Sequence, residues 1–278
     1  GLTQDVPVPG LSIDYPSVHC NANDVCQLTT GMGKANAASS VSALIYSGKF
    51  DLQRTYFLVA GIAGIDPSQG TLGSAAWARF LVDSDIAWEI DAREVPANWP
   101  SGFIGINTQG PGQKPPLDYK TEVFRVNEAL LQKALALSKG AALDDNATAR
   151  AYRANYPSAP ANQPPSVVQC DTAAGNTYWH GAKMGEREAA WVKLLTDGQG
   201  TYCTTQQEDN ATFEALTRGS KAGLLDLQRV AVLRTASNFD RPYPGQTPYD
   251  SLVNSNSGGF VPSLNNLYLA GGPLVNEI

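Results

Sequence analysis

The run Thr55 to Ala60 is apolar without alternation and ends in Gly61-Ile62-Ala63-Gly64. A strand that reads this way is buried on both faces, as in a largely parallel sheet. Both faces must then be covered by helices, which limits the chain to α/β architectures. The rest of the sequence agrees. A strand at 25–30 runs into a glycine turn, and a helix follows from Lys34 to Tyr46, with Ala37, Val41, Leu44 and Ile45 on one face and Gly48 as its stop. Gly61 to Gly64 reads as a tight loop, and strands are expected over Leu72–Val82 and Ala87–Ile90. Lys120 to Lys139 has the spacing of a long helix. Beyond it, strands at 166–170, 200–205 and 228–234 alternate with helices near 182–195 and 210–219, and two weak helices close the chain.

The expected fold is a three-layer α/β/α sandwich with a mixed, mostly parallel central sheet, formed as one domain over 1–278. Two Pro- and Gly-rich stretches, Val95–Pro116 and Tyr156–Pro165, read as ordered excursions over the surface, since no second core flanks either. At 278 residues with 42% hydrophobic side chains, one large core is within reach.

Charge and cysteine content narrow the setting. The net charge is −6 and no Lys/Arg cluster occurs, so nucleic acid and anionic membrane surfaces are poor partners. No segment is long and apolar enough to span a bilayer. Gly1 to Asp5 lacks the basic and apolar parts of a signal peptide, as in a mature, processed chain. Four cysteines, Cys20, Cys26, Cys170 and Cys203, suit disulfides in an oxidising compartment, with four buried thiols as the alternative. Cys20 and Cys26 flank a turn, and Cys170 and Cys203 each end a strand. The sequon at Asn146 lies in a polar region and is expected to carry a glycan; the one at Asn210 falls in a suspected site, where a glycan would not fit. A secreted or extracellular location follows from these features.

Four segments carry candidate chemistry. Gly31-Met32-Gly33 opens a helix and offers backbone N–H groups to an anion or to sugar oxygens, although it lacks the third glycine of a dinucleotide fingerprint. Tyr178-Trp179, after a strand end, is either core or a platform for a flat ligand. Glu208-Asp209 at a helix start is either a cap or a grip on a diol. Ser237-Asn238-Phe239-Asp240 reads as an Asx-type turn, or as a set of groups that hydrogen-bond a heterocycle nitrogen as charge builds on a leaving base. Arg234 is a buried cation or an anion ligand.

Nearly the whole chain resembles the fungal and bacterial purine nucleoside permeases, within the nucleoside phosphorylase and nucleosidase superfamily. The matching residues are Thr30 to Ala38, Ala60 to Gly64, Glu89-Ile90-Asp91-Ala92-Arg93-Glu94, Thr121 to Phe124, Gln207 to Thr212 and Arg234 to Pro242. The resemblance implies a purine nucleoside ligand and cleavage of its N-glycosidic bond. It places Tyr178, with Trp179, on the purine, Glu208 or Asp209 on the ribose hydroxyls, and Asn238 at purine N7, with Asp240 as a second acid. Phosphate or water is expected near Gly31, Met32, Gly33, Gly61 and Ile62. An amide cannot release a proton, so Asn238 favours 6-oxopurines, which need only a hydrogen bond.

Ile62 stands where many relatives carry a serine near the nucleophile, which favours hydrolysis over phosphorolysis. The implied reaction needs no metal or organic cofactor; phosphate is the co-substrate only if the bond is cleaved phosphorolytically. The resemblance also implies a first strand that this chain lacks, so that either a separate N-terminal fragment supplies it or the site is incomplete; a homo-oligomer is the other partner expectation. A nucleoside-binding, uptake or storage protein without turnover is the alternative function.

Overall fold

A computed structural model describes residues 1–278. The first thirty residues form a small antiparallel sheet of β1 (Gln4–Pro7), β2 (Ser17–Cys20) and β3 (Cys26–Gln27). The Cys20–Cys26 bridge staples its last turn. The strand expected at 25–30 is therefore a two-residue edge outside the main sheet. Helix α1 (Lys34–Tyr46) follows at its expected bounds.

Strand β4 (Phe57–Ile65) comes next, then β5 (Ala75–Trp77) and β6 (Phe80–Asp83). The surface excursion holds the hairpin β7 (Trp88–Glu89) and β8 (Phe103–Ile104). The chain returns as β9 (Val123–Arg125), α2 (Glu128–Ser138), α3 (Ala147–Arg153), β10 (Val167–Gln169) and β11 (Asp171–Ala174). It ends with α4 (Ala182–Leu195), β12 (Tyr202–Gln206), α5 (Asp209–Lys221), β13 (Val230–Phe239) and α6 (Phe260–Glu277).

Eight strands make the central sheet in the order β10-β5-β13-β4-β12-β11-β6-β9. Four neighbouring pairs are parallel and three antiparallel, so the sheet is mixed and parallel by a narrow margin. Helices α1, α2, α5 and α6 bury Val41, Leu131, Leu216 and Leu274 in the largest apolar cluster. Helix α4 contributes Trp191, Val192 and Leu195 to another. Cys170 and Cys203 are joined, and the bridge packs with Ile65 and Phe239.

Several expectations are corrected. Gly61 to Gly64 is strand, not loop, because β4 continues in parallel register with β13 as far as Ile65 and Phe239. The glycines answer to close approach rather than to a turn. A Cβ on Gly61 would lie 2.5 Å from the Arg234 guanidinium, and one on Gly64 3.2 Å from the Asn238 amide. Likewise Ser237 to Phe239 completes β13 instead of forming an Asx turn. The long helix expected from Lys120 begins only at Glu128, where Asn127 caps it by accepting the N–H of Ala129 at 2.9 Å. The preceding Val123–Arg125 pairs with β6 instead.

Asn146, of the sequon expected to carry a glycan, is half-buried at the start of α3. Its Oδ1 caps α3 through the N–H of Ala149, and its amide nitrogen donates to the Gly258 carbonyl, each at 2.8 Å.

Candidate functional site

Strand β4 lies inside the sheet, yet Ala60 is exposed and Gly61 and Ile62 are half-buried. The topology explains the gap. Strand β12 pairs with β4 only at Gly64 and Ile65, so the edge of β4 before Gly64 has no strand partner on that side. The chain then turns through Gln207 and Glu208 into α5. What results is an open seam with the middle of β4 as its floor and the start of α5 as one wall.

Glu208 stands on that wall, half-buried. One carboxylate oxygen accepts the N–H of Gly33 at 3.1 Å, and the other lies 3.2 Å from Nη1 of Arg234. The same Nη1 donates to the carbonyl of Ile62 at 3.0 Å. Three segments distant in sequence, the glycine turn, the floor strand and the α5 start, are thereby joined through one carboxylate and one guanidinium.

A fourth segment joins them through Asn176. Its Oδ1 accepts the N–H of Lys34 at 2.9 Å, and its carbonyl accepts the side chain of Gln207 at 2.6 Å. At the other end of the same loop, the N–H of Gly181 donates to the carbonyl of Asp240 at 2.9 Å. The loop Gly175–Gly181 thus runs from the Gly33 end of the seam to the Asn238–Asp240 end. Tyr178, 58% exposed, lies between its two anchors with its ring free.

The remaining expected site residues separate into two groups. Gly31 and Gly33 adopt φ of 80° and 94°, the left-handed region that favours glycine, and leave Met32 72% exposed between them. The expected free amides are partly spent: Gly33 and Lys34 already donate to Glu208 and Asn176. Asn238 lies at a bulge of β13 beside Gly64, its Oδ1 accepting from the Ser237 hydroxyl at 2.9 Å and its Nδ2 donating to the Phe239 carbonyl at 3.0 Å.

Three residues do not face the seam. Trp179 is buried beside Tyr202, Trp191 and Phe80, so it is core rather than platform. Asp209 is fully buried, and both of its oxygens are taken by Arg234; the bond from Nε is 3.0 Å. Of the Glu208/Asp209 pair, only Glu208 is left for a diol. Asp240 lies beneath the seam, accepting from the Tyr202 hydroxyl at 2.8 Å and from Arg241 Nε at 2.7 Å. Arg241 also reaches Asp66 at 2.8 Å.

Desolvation pushes the Asp240 carboxyl up to about 6, against the opposing effect of Arg241. An unfolded aspartate titrates near 3.8. Between these values the folded protein holds a proton that the unfolded chain has released, so this group favours the fold below about pH 4 and loses that contribution as pH rises through 6. His180, held below its ordinary value chiefly by desolvation, acts in the opposite direction in the upper part of the window. Asp240→Asn should therefore remove a falling component from the stability–pH curve between about pH 4 and 6.5, of at most about 3 kcal/mol. Urea titrations of both proteins across that range measure it, and identical slopes would mean that Asp240 stays ionised.

Sequence reasoning assigned no role to Lys34, Asn176, Asp83, Asp85 and Gln206. Lys34 Nζ contacts Asp83 at 2.5 Å and Asp85 at 2.9 Å. Gln206 accepts the N–H groups of Glu208 and Asp209 at 2.8 and 2.9 Å, doing the work of an N-cap from outside the helix. Lys34 lies within the Thr30–Ala38 match, but no spacing points to its partners; only the fold makes the five neighbours. A cleft of about 140 Å³, lined in part by Asp85, Phe103, Thr177 and Arg187, adjoins the Tyr178 loop. The roomier groove of about 730 Å³ between Ala142–Asp145 and α6 contains none of these residues. We place the site at the seam because the polar side chains converge there.

The family described as purine nucleoside permease (NUP) matches residues 1–278. A Schizosaccharomyces pombe protein named "Probable purine nucleoside permease C285.05" is 44% identical over 99% of this chain and 81% of its own length. A purine nucleoside permease of Candida albicans is 40% identical over 100% of this chain and 70% of its own.

Among solved structures, the Neisseria meningitidis 5'-methylthioadenosine/S-adenosylhomocysteine nucleosidase in complex with methylthio-immucillin-A is similar at TM-score 0.55 and 14% identity, covering 98% of this chain and 90% of that one. The Streptococcus pyogenes S-adenosylhomocysteine nucleosidase reaches 0.58 at 14% identity, covering 99% and 87%. Futalosine hydrolase of Helicobacter pylori reaches 0.52 at 15%, covering 99% and 88%. At these identities the likeness is one of fold.

Proposed function

The chain belongs to the purine nucleoside permease family, and on that premise we propose that it binds purine nucleosides at the β4 seam and cleaves the N-glycosidic bond with water. Tyr178 offers a free aromatic face to the base, Glu208 accepts the ribose hydroxyls, and Asn238 hydrogen-bonds the purine imidazole edge as negative charge develops. The solved nucleosidases share the fold, and the curated relatives are named for purine nucleosides. No helix is long and apolar enough to cross a membrane, so a transport role would rest on ligand capture rather than on a helical channel. Two disulfides support an oxidising, extracytoplasmic compartment.

The observation that carries hydrolysis over phosphorolysis is the charge at the Gly33 end. Four carboxylates (Asp83, Asp85, Glu208 and Asp209) meet two cations there. Lys34 is spent on the first two and Arg234 on the others. A phosphate dianion entering this rim would find no unpaired cation and an excess of negative charge. Water carries no such penalty, and Ile62 supplies no hydroxyl to replace it as an anion ligand. A carboxylate beside the ribose also stabilises the positive charge that builds on the sugar as the bond to the base lengthens.

A second reading, capture without turnover, is favoured by one observation. Asn238 stands where a proton must reach the leaving base, and both ends of its amide are engaged by its own strand. Incubation with inosine, guanosine and adenosine, with and without phosphate, separates the readings. Hydrolysis releases free base and ribose at a rate that phosphate does not raise. Phosphate-dependent release would overturn the hydrolytic assignment, and nucleoside-dependent thermal stabilisation without release would establish capture.

A further inference from the structure

His180 has no role in the scheme above, yet it is the least satisfied side chain in the molecule. Both ring nitrogens are buried and neither has a hydrogen-bond partner. The residue is held between two parts of the candidate site. Two positions before it is Tyr178, the exposed ring. Directly after it, the N–H of Gly181 bonds the carbonyl of Asp240, two positions beyond Asn238. The imidazole therefore lies in the short stretch that links the stacking ring to the amide assigned to the base. Two buried ring nitrogens without a partner from the chain itself call for one from outside it, and a heterocycle held by Tyr178 and Asn238 is a candidate within the same loop.

We propose that His180 is a specificity-determining residue that donates a hydrogen bond to the carbonyl of a 6-oxopurine, so that the site prefers inosine- and guanosine-type nucleosides to adenosine. The inference rests on the purine-nucleoside reading of the seam and sharpens its substrate class.

The direction of the bond follows from charge. The ring is neutral at physiological pH, because desolvation and the Arg241 guanidinium both disfavour its cation. A neutral imidazole carries one N–H and one lone pair. The positive charge of Arg241 favours the tautomer whose lone pair faces it, which leaves the N–H as the group free to donate to a ligand. A carbonyl oxygen accepts from that N–H. An exocyclic amine offers it only another donor, so binding the 6-amino base leaves two donors facing each other or forces the lone pair away from the guanidinium. Discrimination built on a buried donor of this kind is strong because the wrong base leaves it unpaired.

The chain has only two histidines, and the other, His19, lies on β2, outside the central sheet, bonded to Asp5. Protein labelled with ¹⁵N at the imidazoles therefore gives two resolvable rings. Titration with inosine and with adenosine is followed by ring ¹⁵N shifts, and binding is confirmed independently by thermal stabilisation. The expected result is that inosine moves the protonated His180 nitrogen and protects its proton from exchange, leaving His19 unmoved. His180→Phe should lower inosine affinity at least tenfold and adenosine affinity much less; His180→Gln, which keeps an N–H donor, should recover part of the preference.

Inosine binding that leaves the His180 resonances unmoved would overturn the inference while leaving the nucleoside reading intact. An unchanged inosine-to-adenosine ratio in His180→Phe would do the same. Failure of the unaltered protein to bind any purine nucleoside would overturn the underlying reading instead.

Discussion

Arg234→Met should destabilise the protein by about 3–5 kcal/mol, the cost of stranding a buried charge whose partner has been removed. Arg234 is 4% exposed and Asp209 0%. The guanidinium satisfies both oxygens of Asp209, one oxygen of Glu208 and the carbonyl of Ile62. Methionine fills much of the space but leaves the Asp209 carboxylate buried and unpaired, and strands the Ile62 carbonyl as well. Burial pushes the Asp209 carboxyl upward, and Arg234 is the group that opposes that shift.

The destabilisation comes from the stranded acid more than from the lost attraction, so the double variant Arg234→Met/Asp209→Leu should recover most of it. Urea unfolding of the two single variants and the double variant measures this cycle. A loss below about 1 kcal/mol in Arg234→Met would show that water reaches the pair and that the seam is wetter than its packing indicates.

Glu208→Gln should reduce kcat/KM for nucleosides by about 100-fold or more, at little cost in stability. Two charge-assisted hydrogen bonds to a ribose diol are each worth about 1.5–3 kcal/mol. The amide keeps one acceptor, but it presents a donor to either the sugar or Arg234 and removes the negative charge that stabilises a cationic sugar. The loss should follow the pentose: affinity for the free base should stay within about twofold, because Tyr178, Asn238 and His180 are untouched. Isothermal titration with hypoxanthine and steady-state kinetics with inosine distinguish the two effects. Equal losses for base and nucleoside would place Glu208 away from the sugar and undo the assignment of the seam's polarity.

Much of the architecture was legible because it is written in periodicity. The bounds of α1 and α4 follow directly from apolar spacing and a terminal glycine or its equivalent. The layered α/β class follows from the unbroken Thr55–Ala60 run. What failed is instructive at the level of single residues. Gly61 and Gly64 resemble turn residues, because glycine's need for space and its freedom of φ look identical in a sequence; only Arg234 and Asn238, more than 170 positions away, show that space is the reason here.

Leu130, Leu131 and Ala134 carry the helical period of α2, and Val123 and Val126 happen to extend it backwards. A strand of three residues has too few positions to declare itself against that pattern. Within the candidate site, Glu208, Tyr178 and Asn238 were proposed by motif, but that Trp179, Asp209 and Asp240 are buried is something no spacing reveals. Lys34 and Asn176, although inside singled-out segments, were given no role for a related reason: a lysine at a helix start and an asparagine in a loop are ordinary until their partners are known.

The span from Gly175 to Gly181 is fastened at both ends, at Asn176 by Lys34 and Gln207 and at Gly181 by Asp240. A bridge with both abutments fastened has little room to swing. A ligand captured there would call mainly for rotation of the Tyr178 ring about its own bonds, so that much of the ordering entropy is spent before it arrives. Entry and exit of a ligand would then be governed by one aromatic ring turning on the nanosecond scale.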